Sequence, residues 1–420
     1  MASTGAASIA AYLRRWGHEV AFLRVGSDEP SDAIASRVHD SAPDILALSL
    51  TSRQWPRARS LVAAVREEID LPVIAGGLHP TFAPEQVLSA AGFDYVCIGE
   101  GEEPMLDLLE ALERGEQEPA ISNVWVRGGL RPAIRPPFEP IDDLPFMARD
   151  LLDEQHGVVH MATQRGCPFP CSFCAARIYG ELYRQAGHVY GRRRSHRNVL
   201  DELLEIRERD GLSYVIFLDD TFTIHRPWVR EFCRDYGARL RAPFSLNARV
   251  ETVSEEMIQL LAEAGCRHIV YGVESGSPRI RQEVMRRPVE NRRFKDVFRW
   301  TREAGITVTA NYMIGLPGES REDLEQTLRL AEELDAFDFG CFAFYPYPGT
   351  DLFRVCRDSG YLPGDYGERP VNDRESILDL PGLAREEIAE YHDRFTALRE
   401  RTQLARRAAA GQVHERARPA

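Results

Sequence analysis

The amino-acid sequence predicts an α/β chain in two parts. A doubly wound layer occupies residues 1–130, and a larger parallel sheet, a partial barrel of six βα units, occupies residues 153–360. Three observations lead there. Short apolar segments alternate with stretches of helical spacing through both parts, which calls for parallel strands joined by right-handed crossovers. A proline-rich connector, RPAIRPPFEPIDDLPF (Arg131 to Phe146), interrupts the alternation, and its prolines forbid regular structure there. From Pro363 the rhythm is lost, leaving one helical run (Ala384 to Arg406) and a polar, alanine- and arginine-rich tail expected to be disordered.

In the first part ASIAAYLRRWG, PRARSLVAAVREEI and PEQVLSAAG have helical spacing, and HEVAFLRV, PDILALSL, LPVIAGG and DYVCIGE are strand-like. The carboxyl ends of such strands bind ligands. Here they run into LTSRQ, GGLHPTFAPE and GEGEEP, segments of small and polar residues. In the second part the strands are VVHMATQ, YVIFLDD, FSLNARV, HIVYGVESG, TVTANYMIG and GCFAFYPYPGT.

Composition excludes several roles. With 44% hydrophobic and 28% charged residues the chain is globular. A formal net charge of −13 argues against nucleic acid or an anionic membrane as the main partner. GRRRSHR (Gly191 to Arg197) is a local basic loop, solvated or facing substrate. The apolar runs are too short to span a bilayer and there is no secretory leader pattern, so a cytoplasmic protein with reduced thiols is expected. Lys295 is the only lysine, which leaves Schiff-base catalysis almost no candidate.

QRGCPFPCSFCAARIYG places Cys167, Cys171 and Cys174 within eight residues, after the first strand of the second part. A structural zinc needs a fourth ligand, for which His156, His160 or His188 would have to serve. A CxxC thiol pair leaves Cys167 unexplained. An iron–sulfur cube with one iron unligated by protein uses all three. Cys97, Cys233, Cys266, Cys341 and Cys356 fall in strand or helix patterns and read as core residues.

CPFPCSFC, with Phe173 before its last cysteine, resembles the CxxxCxxC signature of the radical S-adenosylmethionine (radical SAM) superfamily. VIFLDDTFT, NARVE, AGCRHIVYGVESGS, AGITVTANYMIGLPGES and YPYPGT resemble, in order and spacing, segments of its cobalamin-linked members, from about Asp142 to Leu362. PDILALSLTS, PVIAGGLHPTFAPE and DYVCIGEGEEP resemble the cobalamin-binding domain that precedes the barrel in that branch, over about Ala6 to Leu112. The implied organisation is a Rossmann-like cobalamin-binding domain at 1–130, a linker at 131–152, a partial (β/α)6 TIM-type radical SAM barrel at 153–360 and a helical region at 361–420. The family's first domain usually opens on a strand at the middle of its sheet, whereas this sequence opens at the helix, so the resemblance implies that this first strand is lacking, through an incomplete or misassigned start or a shortened sheet.

The resemblance also implies the chemistry. S-adenosylmethionine chelates the open iron of a 4Fe-4S cluster held by Cys167, Cys171 and Cys174, and one electron cleaves it to methionine and a 5′-deoxyadenosyl radical. Asp219 and Asp220 are then expected to accept from the methionine ammonium, and Arg286 to donate to its carboxylate. Phe173, Asn247, Arg249, Glu274 and Ser275 are placed around the cluster, methionine and ribose, and Asn311, Gly315, Gly318 and Glu319 against ribose and adenine. Plainer roles compete: one of the two aspartates caps a helix, Glu274 pairs with Arg249, and GLPGES is only a turn and cap.

Around cobalamin the implied residues are Ser49, Thr51, Ser52, Gly76, Gly77, His79, Gly99, Glu100 and Gly101, although no DxHxxG motif supplies a histidine to cobalt and His79 is not its equivalent. The implied activity is methylation of an unactivated carbon of a small molecule. The substrate radical takes methyl from methylcobalamin, and a second S-adenosylmethionine restores it. An external electron donor such as flavodoxin or ferredoxin is implied. Rearrangement, cyclisation or oxidation without methyl transfer is the alternative enzyme reading, and a non-catalytic cluster protein the alternative class. RIYGELYRQAGHVYGRRRSHR and the last 60 residues are expected to close a site suited to a polar or anionic substrate.

Overall fold

The structure, a computed structural model, describes residues 3–416 apart from 27, 153, 155 and 370, with side chains as far as 407. The first sheet has four strands, β1 (Leu46–Ser49), β2 (Val73–Gly76), β3 (Tyr95–Cys97) and β4 (Val124–Val126), in that order, with β1 to β3 parallel and β4 antiparallel. Period-two alternation gives it two dry faces. Val73, Ala75 and Val96 pack with Trp55, Val62 and Phe93, while Ile74, Tyr95 and Cys97 pack with Tyr12, Leu13 and Leu108. The layer is therefore doubly wound. One expected strand does not form: HEVAFLRV, residues 18–25, joins no ladder, and Leu23 and Val25 are exposed. A strand needs a neighbour to satisfy its backbone; β1 ends the sheet, and among the described residues 18–25 do not pair with its outer edge.

The second sheet is parallel throughout, in the order β12-β11-β10-β9-β8-β5: β5 (Val158–Met161), β8 (Tyr214–Phe217), β9 (Phe244–Ala248), β10 (Cys266–Glu274), β11 (Thr307–Ile314) and β12 (Asp338–Ala343). A two-stranded ribbon, β6 (Gln164–Arg165) with β7 (Arg192–Arg193), stands at its mouth. Neighbours follow chain order and the terminal strands do not pair, which makes an open barrel. Along β11, Val308, Ala310, Tyr312 and Ile314 are buried in the main core, leaving Thr307, Thr309, Asn311 and Met313 on the other face. Register sets Gly272, Asn311 and Gly340 side by side on β10, β11 and β12. Side chains cover the two glycines: an added Cβ would stand 2.2 Å from Glu274 Oε1 at Gly272 and 2.9 Å from the Phe342 ring at Gly340.

The carboxy-terminal helix, Arg385–Arg416, bonds to β12 through Arg399 and Asp338 at 2.6 Å and to helix Arg321–Leu334 through Tyr391 and Glu325 at 2.6 Å. Its backbone extends ten residues into the stretch expected to be disordered, where alanines favour helix. The last four residues of that stretch lie outside the described residues.

Candidate active site

The cysteine loop is fixed at three points. At its start, buried Asp219 accepts from the Thr163 amide and hydroxyl, both at 2.8 Å, and from the Gln164 amide at 2.9 Å. In its middle, the Ser172 amide donates to the Met285 carbonyl at 3.2 Å and its hydroxyl to Val284 at 2.5 Å, while the Leu352 amide donates to the Ser172 carbonyl at 3.1 Å. At its end, helix Ala176–Gln185 begins two residues after Cys174. The thiols thus stand at the carboxyl edge of the barrel.

Their surroundings suit a cluster. Arg249 Nη1 donates to Cys171 Sγ at 3.0 Å, and its guanidinium lies 3.9 Å from the centre of the Phe169 ring. Burial, with nearby Asp220, pushes the Cys174 thiol up to about 12 and raises Cys167, so both are protonated at neutral pH until a metal displaces the proton. No group of three or more His, Cys, Asp or Glu among the described residues converges as a single ion would require. His156, His160 and His188 therefore do not complete a zinc site, whereas a cube asks each thiolate for a different iron. Three thiolates with a sulfur-directed arginine fit such a cluster.

Behind the thiols runs a chain of charges. Arg249 pairs with Glu251 at 2.5 Å, and Glu251 accepts from Arg287 Nε at 3.0 Å and Nη2 at 2.9 Å. Burial pushes the Glu251 carboxyl up, but the two arginines outweigh it and hold it at about 2. Arg287 Nη1 donates to the Gly272 carbonyl at 2.6 Å and lies 3.8 Å from Glu274. Glu274 sits at a bulge in β10 with φ of 70°, an uncommon conformation for a non-glycine residue. Its carboxylate folds over Gly272, where an added Cβ would stand 2.2 Å from Oε1. It accepts no hydrogen bond among the described residues, and burial raises it. Asp220, exposed in the mouth, also has no partner for its carboxylate among the described residues. Glu274 and Asp220 are thus the available acceptors for an ammonium group. Asn247 Nδ2 donates to the Asp219 carbonyl at 3.1 Å, leaving its Oδ1 without a bond among the described residues.

Several expected contacts are engaged elsewhere. Asp219 serves the Thr163 turn. Ser275, fully buried, bonds to Thr327 Oγ1 at 3.2 Å and packs β10 against helix Arg321–Leu334. Glu319 Oε2 accepts from the amides of Gly315 at 2.6 Å and Leu316 at 3.1 Å, closing its own turn. Phe173 belongs to the apolar cluster of Met285, Leu316, Phe344 and Leu352. The Arg286 side chain is 53% exposed and pairs with Asp351, whereas that of Arg287 is 2% exposed and points into the site. Gly315 and Gly318 turn with φ of 80° and 76°, a geometry glycine supplies. Sequence reasoning missed Glu251, Arg287 and Phe169, although all three lie in or beside NARVE, the arginine pair and CPFPC.

In the first part, Ser49 and Thr51 are exposed at the end of β1, and Thr51 donates its hydroxyl to Gln54 at 2.9 Å. At Gly77, with φ of 95°, an added Cβ would lie 3.0 Å from the Leu50 amide and carbonyl, so the ends of β1 and β2 meet there without a side chain between them. These bare strand ends, with Gly76, are where a flat macrocycle could approach. His79 and Ser52 instead lie in the core: His79 Nδ1 bonds to Ser52 at 3.1 Å, its ring stacks on Trp55 at 4.9 Å, and burial lowers the imidazole to about 4. Gly101 backs onto Ile9, and an added Cβ at Gly99 would stand 2.7 Å from Tyr183 Oη. Glu100 pairs with Arg165 at 3.0 Å and with Arg192. Its expected role at a cofactor gives way to an ion pair with the second part.

Comparison with known proteins agrees with this geometry. The family model described as the radical SAM superfamily matches residues 161–331, and that of the B12 binding domain matches residues 1–109. The chain is 30% identical over 367 residues to an uncharacterized methyltransferase of Pyrococcus horikoshii, covering 83% of this chain and 77% of that protein. It is 28% identical over 374 residues to the anaerobic magnesium-protoporphyrin IX monomethyl ester cyclase of Rubrivivax gelatinosus, covering 84% of this chain and 66% of that one. Among solved structures, the radical S-adenosylmethionine methyltransferase TsrM of Kitasatospora setae, with cobalamin and a 4Fe-4S cluster bound, superposes with a TM-score of 0.69 at 18% identity, covering 94% and 79% of the two chains.

Proposed function

The chain belongs to the cobalamin-dependent branch of the radical SAM family, and from that premise we propose that it methylates an unactivated carbon of a small molecule. The observation that carries this reading is the contact between the two halves. The Glu100 amide, at the end of β3, donates to Tyr183 Oη at 2.9 Å on the helix that follows the cysteine loop, so the carboxyl edge of the first sheet faces the mouth of the second. One substrate held there meets both cofactors. When bound, the cluster, S-adenosylmethionine and cobalamin supply one-electron cleavage, the radical and a transferable methyl group.

The residues supply position. Cys167, Cys171 and Cys174 ligate three irons; Arg249, backed by Glu251 and Arg287, stands at the cluster and offers donors to a carboxylate. Glu274 and Asp220 accept from the ammonium. Asn247 and Asn311 face the nucleoside. Ser49, Thr51, Gly76 and Gly77 hold the corrin edge. The electron comes from an external flavodoxin- or ferredoxin-type donor, and the enzyme works in the cytoplasm; no helix among the described residues is long and apolar enough to cross a membrane.

Cyclisation or oxidation without methyl transfer is the second reading, favoured by the similarity to the Rubrivivax cyclase. Anaerobic enzyme carrying cluster and cobalamin, given S-adenosylmethionine and reductant, is expected to form S-adenosylhomocysteine alongside 5′-deoxyadenosine. Formation of 5′-deoxyadenosine alone would favour the second reading. A Cys167, Cys171 and Cys174 triple alanine variant should form neither product.

A further inference from the structure

The segment that carries the cysteines is fastened on both sides to the loop that ends β3. Arg165, two residues before Cys167, crosses between the halves and forks onto two carboxylates, Glu100 at 3.0 Å and Glu102 at 2.5 Å. Its Nη2 also reaches Ser8 Oγ at 3.3 Å, and Ser8 donates to Glu102 at 2.8 Å. Arg192, opposite Arg165 in the ribbon, pairs with Glu100 and donates to the Phe138 carbonyl at 2.7 Å. Beyond the cysteines, Tyr183 takes the Glu100 amide and stacks on Tyr190 at 4.8 Å, which stacks in turn on Tyr179 at 5.4 Å. Two arginines and two glutamates balance in charge, and the side chains of Glu100, Glu102 and Arg192 are less than a tenth exposed. Charges buried this deeply hold one geometry, because a small displacement leaves them desolvated and unpaired. The interaction therefore joins the cysteine loop to the loop that follows Cys97, whose Cβ lies 3.5 Å from where a Cβ at Gly76 would stand, at the bare strand ends.

We propose that the Arg165 fork onto Glu100 and Glu102 couples the two cofactor sites, so that assembling the cluster on Cys167, Cys171 and Cys174 tightens cobalamin binding at the first sheet. The physical route is ordering. Cluster ligation fixes residues 167–174, and with them Arg165 on one side and the Tyr183 helix on the other. The loop after β3, which flanks Gly76 at the strand ends, is then held before cobalamin arrives, and its residual motion no longer opposes the second ligand. Linkage makes the effect reciprocal, so cobalamin also stabilises the cluster. Arg165 acts here as a positioning residue and touches neither cofactor. The coupling goes beyond the methyl-transfer reading, since it needs only the two cofactors.

The test titrates hydroxocobalamin anaerobically into the full chain, with and without reconstituted cluster, following the corrin absorbance. For the unaltered protein the dissociation constant is expected to fall about fivefold or more when the cluster is present. In Arg165→Lys, which keeps the charge but cannot span both carboxylates, and in Glu102→Gln, approached from the other side, the ratio of the two constants should fall to within about twofold of 1. The constant of the cluster-free chain should stay unchanged. Equal affinities with and without cluster in the unaltered protein, or a ratio retained in both variants, would overturn the coupling alone. A clamp of purely structural worth would lower the melting temperature of the variants and leave the ratio as it was. Absence of cobalamin binding in any form would overturn both the coupling and the methyl-transfer reading.

Discussion

Cys171 accepts a hydrogen bond from an arginine that is itself held by Glu251, and the consequence is electrostatic. A donor to a ligating sulfur favours the more negative, reduced cluster. Arg249→Met is expected to lower the cluster's midpoint potential by about 60 mV, a tenfold change for a one-electron couple, in a titration followed by electron paramagnetic resonance. An unchanged potential would show that Arg249 turns away when the cluster binds. Glu319 gives a second residue-scale prediction. Burial pushes its carboxyl up to about 8, against an ordinary unfolded value of about 4.3, despite two amide donors. Between those values the folded chain holds a proton that the unfolded chain releases, so this contribution is full below pH 4.3 and disappears as pH rises through 8. Glu319→Gln, which keeps an acceptor and cannot ionise, should gain in melting temperature relative to the unaltered protein between pH 5 and 8. A gap that does not widen with pH would refute the assignment.

Elements pack where side chains are small. At Gly276 an added Cβ would lie 2.3 Å from the Gln326 carbonyl and 2.5 Å from Thr327 Cα, both backbone, so β10 can reach helix Arg321–Leu334 only without a side chain there. Gly276→Ala is expected to cost about 1–3 kcal/mol, measured by denaturant unfolding of the cluster-free chain. That helix opens on a capping box in which Ser320 and Asp323 bond reciprocally. Ser320→Ala should cost about 1 kcal/mol. The same scale explains the exchange of Arg286 for Arg287. Residues 280–284 form a π-helical turn capped by Met285, and Arg286 then takes the left-handed conformation, φ of 54°, so the chain turns there and Arg287 leaves on the inner side. Both arginines looked alike in the sequence because nothing local to RR marks that turn.

At the scale of the molecule, the buried ion pairs and stacked tyrosines join two sheets that each have a core of their own. Such halves ordinarily unfold separately unless their interface is well packed. Calorimetry of the unaltered chain is therefore expected to show one transition, and Tyr183→Ala, which empties a fully buried position between the halves, to separate it into two. Two transitions in the unaltered chain would show that the interface does not unify them.

The sequence by itself determined what depends on spacing along the chain: three cysteines in one loop, six βα units, and turns of glycine at the strand ends. HEVAFLRV had the composition of a strand, yet a strand also needs a neighbour, and only the assembled sheet shows that it pairs with none. Asp219 and Asp220 were indistinguishable as adjacent acids; strand parity buried one against Thr163 and left the other open in the mouth. Arg165 carried no joint signal with Glu100 and Glu102, which lie more than 60 residues before it. Tertiary structure decided their pairing because opposite charges far apart in sequence become partners only when two sheets bring them out of water together.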